Sequence, residues 1–170
     1  MLTMFKPPWR WFIDVELIIG DPQINLEVAK TPSQALQKYF ENINPSSEMG
    51  IISYNFSKRE WDQNFCDWLR KLHQNKVKIK VVGGPEIRAK ENLEKLIGDG
   101  IIELRILEKP TTFHIVYATD PKQLWVEQYH GKGYPKGIHY TDNPFDENWK
   151  EYLKMFNYYW EKGQTWKIKN

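Results

Sequence analysis

The residues able to do chemistry concentrate in the last third of the chain. His114 stands in the apolar run Phe113-His114-Ile115-Val116. A histidine so placed is either a nucleophile or proton carrier at a site, or a hydrogen-bonded residue in a pocket wall. Glu127 and His130 follow in a second strand-like run, and His139 and Asp142 lie just beyond. Imidazole and carboxylate together suit zinc or iron. These spacings match no metal-ligand motif, however, and Glu127 and His130 fall on opposite faces of one extended strand, so no metal and no cofactor is expected. The segment Tyr129 to Tyr140 interleaves His130, Lys132, Lys136 and His139 with Tyr134 and Tyr140 on a glycine-rich frame. Such a loop can stack bases and neutralise phosphates; it can equally be a connection whose aromatic rings cover the end of a sheet. Gly83-Gly84 lacks a phosphate-loop pattern around it, and Pro85 removes one N–H donor, so a turn is expected. Cys66, the single cysteine, lies between Phe65 and Asp67 on a helical pattern and has nothing beside it to lower its pKa.

These residues need a scaffold, and the composition allows one. The chain has 170 residues, 24 Lys+Arg against 22 Asp+Glu, 41% hydrophobic and 15% aromatic content. That suits one folded domain and excludes intrinsic disorder. One cysteine excludes an internal disulfide framework. No apolar run approaches the ~20 residues that a bilayer requires, and the start carries no signal-peptide pattern. A single cytoplasmic domain spanning 1–170, away from membranes, is the expectation.

Strand and helix patterns alternate along the chain. Trp11 to Ile19 and Ile24 to Val28 read as a β-element, and Thr31 with Pro32 opens a helix bearing Ala35, Leu36, Tyr39, Phe40 and Ile43. Met4, Phe5, Trp9 and Trp11 could staple a dimer. Gly50 to Tyr54 reads as a buried strand. Ser57 with Glu60 forms a capping box before an apolar face of Trp61, Phe65, Trp68, Leu69 and Leu72. Strand Val77–Val82 follows, completing a parallel crossover unit. Its Lys76, Lys78 and Lys80 form one basic, wet side. A helix is predicted over Pro85–Asp99, stopped by Gly100, then strands over Ile101–Leu107, Phe113–Ala118, Gln123–Tyr129 and Gly137–Tyr140. The last helix runs over Pro144–Lys162 with Phe145, Trp149, Leu153, Phe156 and Trp160 on its apolar face, leaving Gly163–Asn170 as a loose tail.

From Gly50 to about Lys162 this order resembles one half of the phospholipase D superfamily. The likeness rests on Ile51-Ile52-Ser53-Tyr54, the Trp-bearing helix ending Leu69-Arg70-Lys71-Leu72, and the strand Val77–Val82. It continues through Ile101–Leu107, Phe113-His114-Ile115-Val116, the Asp120 turn, Leu124-Trp125-Val126 and the closing helix Phe156–Trp160. The sequence looks most like the family's non-catalytic, sensor-type members, of the kind attached to archaeal transcription regulators. In that family the half-site is His-x-Lys-x-x-x-x-Asp followed by Gly-Ser and Asn, and two halves join so that one histidine attacks phosphorus while the other protonates the leaving oxygen. His114 matches the histidine. Val116 stands at the lysine, Asp120 lies one place before the aspartate position, and Glu127 and Gln128 replace the Gly-Ser segment.

The resemblance implies an α/β fold with a mixed sheet flanked by helices on both faces. It assigns an N-terminal β-element and helix to 1–48, the phospholipase D-like core to 49–162, and a tail to 163–170. It implies a homodimer, and a non-catalytic binding or sensing domain whose small-molecule or nucleic-acid ligand meets His114, Glu127, His130, Lys132, Tyr134 and Lys136. The alternatives are a homodimeric, metal-independent phosphodiesterase or nuclease using His114, and a nucleic-acid-binding accessory protein using the Lys132/Tyr134/Lys136 loop.

Overall fold

The computed structural model describes residues 43–111, 113–129 and 135–168. The N-terminal β-element, the helix opened by Thr31 and the aromatic staple near the start lie outside these residues. Within them the order is β1 (Glu48–Ser53), α1 (Gln63–Gln74), β2 (Lys78–Gly83), α2 (Lys90–Gly98), β3 (Glu103–Ile106), β4 (Phe113–Ala118), β5 (Gln123–Tyr129), β6 (Pro135–Thr141), α3 (Glu147–Lys162) and β7 (Gln164–Thr165).

The strands form one sheet in the order β6-β5-β4-β1-β2-β3-β7. The neighbours β1, β2 and β3 are parallel, while β4 runs antiparallel to β1 and β5 antiparallel to β4. Alternation along each strand separates two cores. On one face Ile51, Val81, Val116 and Trp125 pack under α1 and α2, which contribute Phe65, Leu69, Leu93 and Leu96. On the other face Ile52, Val82, Tyr117 and Val126 pack under Trp149, Tyr152 and Phe156 of α3. Both faces of the central strands are therefore dry, which is why they read as continuous apolar runs. Gly50 is required here: it pairs with Tyr117, whose ring occupies the space a Cβ would need. Among the described residues no helix is long and apolar enough to cross a membrane.

Several boundaries differ from expectation, each for a visible reason. The helix expected from Ser57 begins at Gln63, capped by Asp62, whose side chain accepts from the Phe65 N–H at 2.9 Å. Ser57 Oγ does accept from the Glu60 N–H at 3.2 Å, but Glu60 turns its carboxylate toward the sheet, so the reciprocal half of a capping box is replaced by a tertiary contact. The helix expected from Pro85 begins at Lys90, because the Arg88 and Ala89 N–H groups donate across to the Asn55 and Phe56 carbonyls. Phe145 is not on the apolar face of α3. It lies in an Asn143 turn before the Asp146 cap and is 88% exposed. The tail is held through Trp166: Thr165 and Gln164 pair with Arg105 and Ile106, and the Trp166 N–H donates to the Leu104 carbonyl at 2.9 Å. Lys78 and Lys80 share a face of β2, but only Lys78 is wet: Lys80 is covered by α3, pairs with Glu48 at 3.2 Å and lies over the Trp160 ring.

Candidate functional site

The polar residues of the sheet gather where β1 ends, β4 begins and β5 ends. His114 and Glu127 are direct partners across β4 and β5 and so share a face. Continuing the β1–β4 register places Ser53 next in the same row. The β1–α1 loop closes over this row, because Ser53 Oγ accepts from the Trp61 indole N–H at 3.3 Å and from the Phe56 N–H at 3.2 Å. Phe56 itself takes a left-handed backbone, φ 46°, a costly conformation outside glycine. Its ring lies against Gly83 so closely that a Cβ there would come within 2.5 Å. The loop is thereby fixed in position, and it delivers Glu60.

Glu60 Oε1 lies 3.1 Å from His114 Nδ1. The approach is close without hydrogen-bond alignment, and Oε1 has no hydrogen-bond partner among the described residues. Glu127 Oε1 accepts from the Trp125 indole N–H at 2.7 Å. The result is a buried imidazole beside two carboxylates. His114 is 4% exposed, and burial pushes its pKa down to about 3. Burial, and then the charge of Glu127, holds the Glu60 carboxyl well above the usual carboxylate range. At neutral pH the imidazole is uncharged, and burial shifts Glu60 toward its protonated form. This arrangement can donate and accept hydrogen bonds. It supplies no positive charge to a phosphate.

The other predicted positions divide sharply. Val116 is fully buried in the α1 core, so the lysine of the motif is replaced by a packing residue and not by another polar group. Asp120 is remote from His114: the strand from His114 to Ala118, more than about 10 Å of extended chain, and the turn beyond it separate them. There its carboxylate accepts from Ser47 Oγ at 2.7 Å and fixes the β4–β5 turn. Lys136 belongs to β6, while His130, Lys132 and Tyr134 lie outside the described residues. Among the described residues no group of three or more His, Cys, Asp or Glu is arranged to hold a metal. Cys66 is buried and its thiol is pushed up to about 11, chiefly by burial. Glu60, Ser53, Trp61 and Trp125 are site neighbours that sequence reasoning passes over. Glu60 carries a local signal, the capping box, that points to a different role.

No family model matches the chain, and no curated protein sequence matches it. Solved structures do. The fold is similar to that of TrmBL2, an archaeal chromatin protein described as showing a novel mode of DNA binding, with a TM-score of 0.59 and 17% identity. That likeness covers 91% of this chain and 60% of TrmBL2, so the chain spans less than two-thirds of that protein's length. It is also similar to Nuc from Salmonella typhimurium, a phospholipase D family member, with a TM-score of 0.55 and 11% identity over 78% of this chain and 89% of that one. The fold is phospholipase D-like, and at these identities the likeness is one of architecture.

Proposed function

We propose that this protein is a non-catalytic, phospholipase D-like binding domain, working as a homodimer, whose ligand sits at the carboxyl end of the sheet. Ligand contacts are assigned to His114 and Glu127 and to the following segment that carries His130, Lys132, Tyr134 and Lys136. One observation carries this reading. The histidine position is kept, but it is buried against Glu60 and Glu127, and the phosphate-holding lysine is replaced by Val116 inside the core. Phosphoryl transfer needs fixed positive charge for the developing phosphorane, and an uncharged imidazole beside two acidic side chains supplies none. The test is a cleavage assay in EDTA on single- and double-stranded DNA, RNA and a chromogenic phosphodiester, with His114→Ala alongside. No cleavage by either protein is expected. Cleavage lost in the variant would make the protein a homodimeric, metal-independent phosphodiesterase.

A second reading, a nucleic-acid-binding accessory protein, is supported by the likeness to a DNA-binding chromatin protein, although that likeness extends only to the fold. It predicts an affinity that falls steeply with salt. An affinity indifferent to salt would refute it.

A further inference from the structure

We propose that the paired loops beyond β1 and β2 form a platform that contacts the phosphate backbone of a nucleic acid. This inference rests on the binding reading above and names the class of its partner.

The platform is built by tertiary bonds. The Ala89 N–H donates to the Phe56 carbonyl at 2.9 Å, the Arg88 N–H to the Asn55 carbonyl at 3.4 Å, and Asn92 Nδ2 to the Trp61 carbonyl at 2.7 Å. Phe56 and Trp61 are fully buried anchors beneath it. Two loops far apart in sequence are thus fixed side by side, and their outer surface carries Lys58, Arg59, Arg88 and Lys90, all exposed. Lys58, Arg88 and Lys90 line a shallow depression of about 360 Å³ with Glu91 and Asn92.

The charges on this surface are available to a partner. Lys58 and Arg59 have no ion-pair partner among the described residues. Arg88 pairs with Glu86 at 2.7 Å and Lys90 with Glu94 at 3.8 Å, in each case with the cation more than half exposed. Glu91, the acid inside the depression, is engaged by Lys95 at 2.8 Å. Exposed pairs of this kind contribute about 0–1 kcal/mol, so a phosphate can replace the carboxylate at little cost. Cations spread over two rigid loops suit a chain of phosphates better than one isolated anion. The platform also lies at the sheet end where β5 finishes and β6 begins, because β5 is antiparallel to β4 and to β6, and β4 to β1.

The test is fluorescence anisotropy with short duplex DNA, single-stranded DNA and RNA across a salt series, on the wild type, K58E/R59E, R88E/K90E and K132E/K136E. Inorganic phosphate serves as competitor, and anionic vesicles as a separate probe. Each platform variant should lose roughly tenfold or more in affinity, with the slope of log affinity against log salt shallower by about two, near the ~0.9 expected per neutralised phosphate. Circular dichroism should be unchanged, since all four positions are exposed. Unchanged affinity and slope in both platform variants would overturn the proposal. If K132E/K136E alone lost binding, the groove reading would stand and the platform would fall. A wild type that bound neither duplex nor single strand would refute the platform and leave the groove to small ligands. Displacement by inorganic phosphate at matched ionic strength, or binding to vesicles without nucleic acid, would also refute it.

Discussion

The sharpest consequence of the buried site is a proton that changes seat on folding, which Glu60→Gln exposes. In the unfolded chain His114 titrates near 6.5 and Glu60 near 4.5, while in the folded protein His114 is lowered to about 3 and Glu60 is raised. Between pH 4.5 and 6.5 the unfolded pair therefore holds one proton, on the histidine. Below the raised Glu60 titration the folded pair also holds one, on the glutamate, because a positive imidazole beside a protonated Glu60 would be an uncompensated buried charge. Where equal protons are bound on both sides, the pair adds no pH slope to stability. In E60Q the glutamate term is gone and the lowered histidine acts alone. The unfolded state then binds one proton more, and stability falls as the pH drops below 6.5, at about 1.4 kcal/mol per unit. Over two units that is about 3 kcal/mol, a large part of the 5–15 kcal/mol typical of a domain. H114Q isolates the opposite sign: its stability rises as the pH falls through the raised Glu60 value. The assay is urea unfolding followed by tryptophan fluorescence at pH 4.5, 5.5 and 6.5, compared as differences from wild type so that other groups cancel. Parallel stability–pH profiles for E60Q and wild type would show that Glu60 is ionised in the fold and would refute the reasoning.

Three further perturbations follow from the packing. Val116→Lys, which restores the motif's lysine, should cost about 3–5 kcal/mol because it buries an unpaired cation against Trp125 and α1; unaltered stability with newly gained phosphate affinity would contradict the description of the site. Gly83→Ala should destabilise by about 1–3 kcal/mol, because its Cβ meets the Phe56 ring and the Ser53 carbonyl at 2.5 Å, and urea midpoints measure this directly. Deleting 164–170 should lower the melting temperature by several degrees, through loss of β7 pairing and of Trp166 packing on the core; an unchanged midpoint would mean the seventh strand contributes nothing.

The sequence by itself determined which segments build the sheet. The apolar runs at β1, β2, β4 and β5 read as buried strands, and the apolar face from Phe65 to Leu72 reads as a helix packed on them. Gly100 ended α2 as expected, with φ 69°. Those features are local, because hydrophobic period and backbone permissiveness reside in adjacent residues. His114 and Glu127 were also visible as polar interruptions of apolar strands. What neither residue revealed alone is that they face each other, since register between strands follows from pairing and not from spacing.

Tertiary structure decided the chemistry. Glu60 looks from its neighbours like half of a capping box, and only the return of the β1–α1 loop over the sheet turns it toward His114. Asp120, the motif's nearest acid, is carried away to the far turn because an extended strand advances over 3 Å per residue. The charges of Lys58, Arg59, Arg88 and Lys90 look scattered in sequence until the Phe56–Ala89 and Asn55–Arg88 hydrogen bonds set them on one surface. Burial completes the difference. A histidine's position can be read from a sequence, but its protonation state depends on how much water the fold leaves around it.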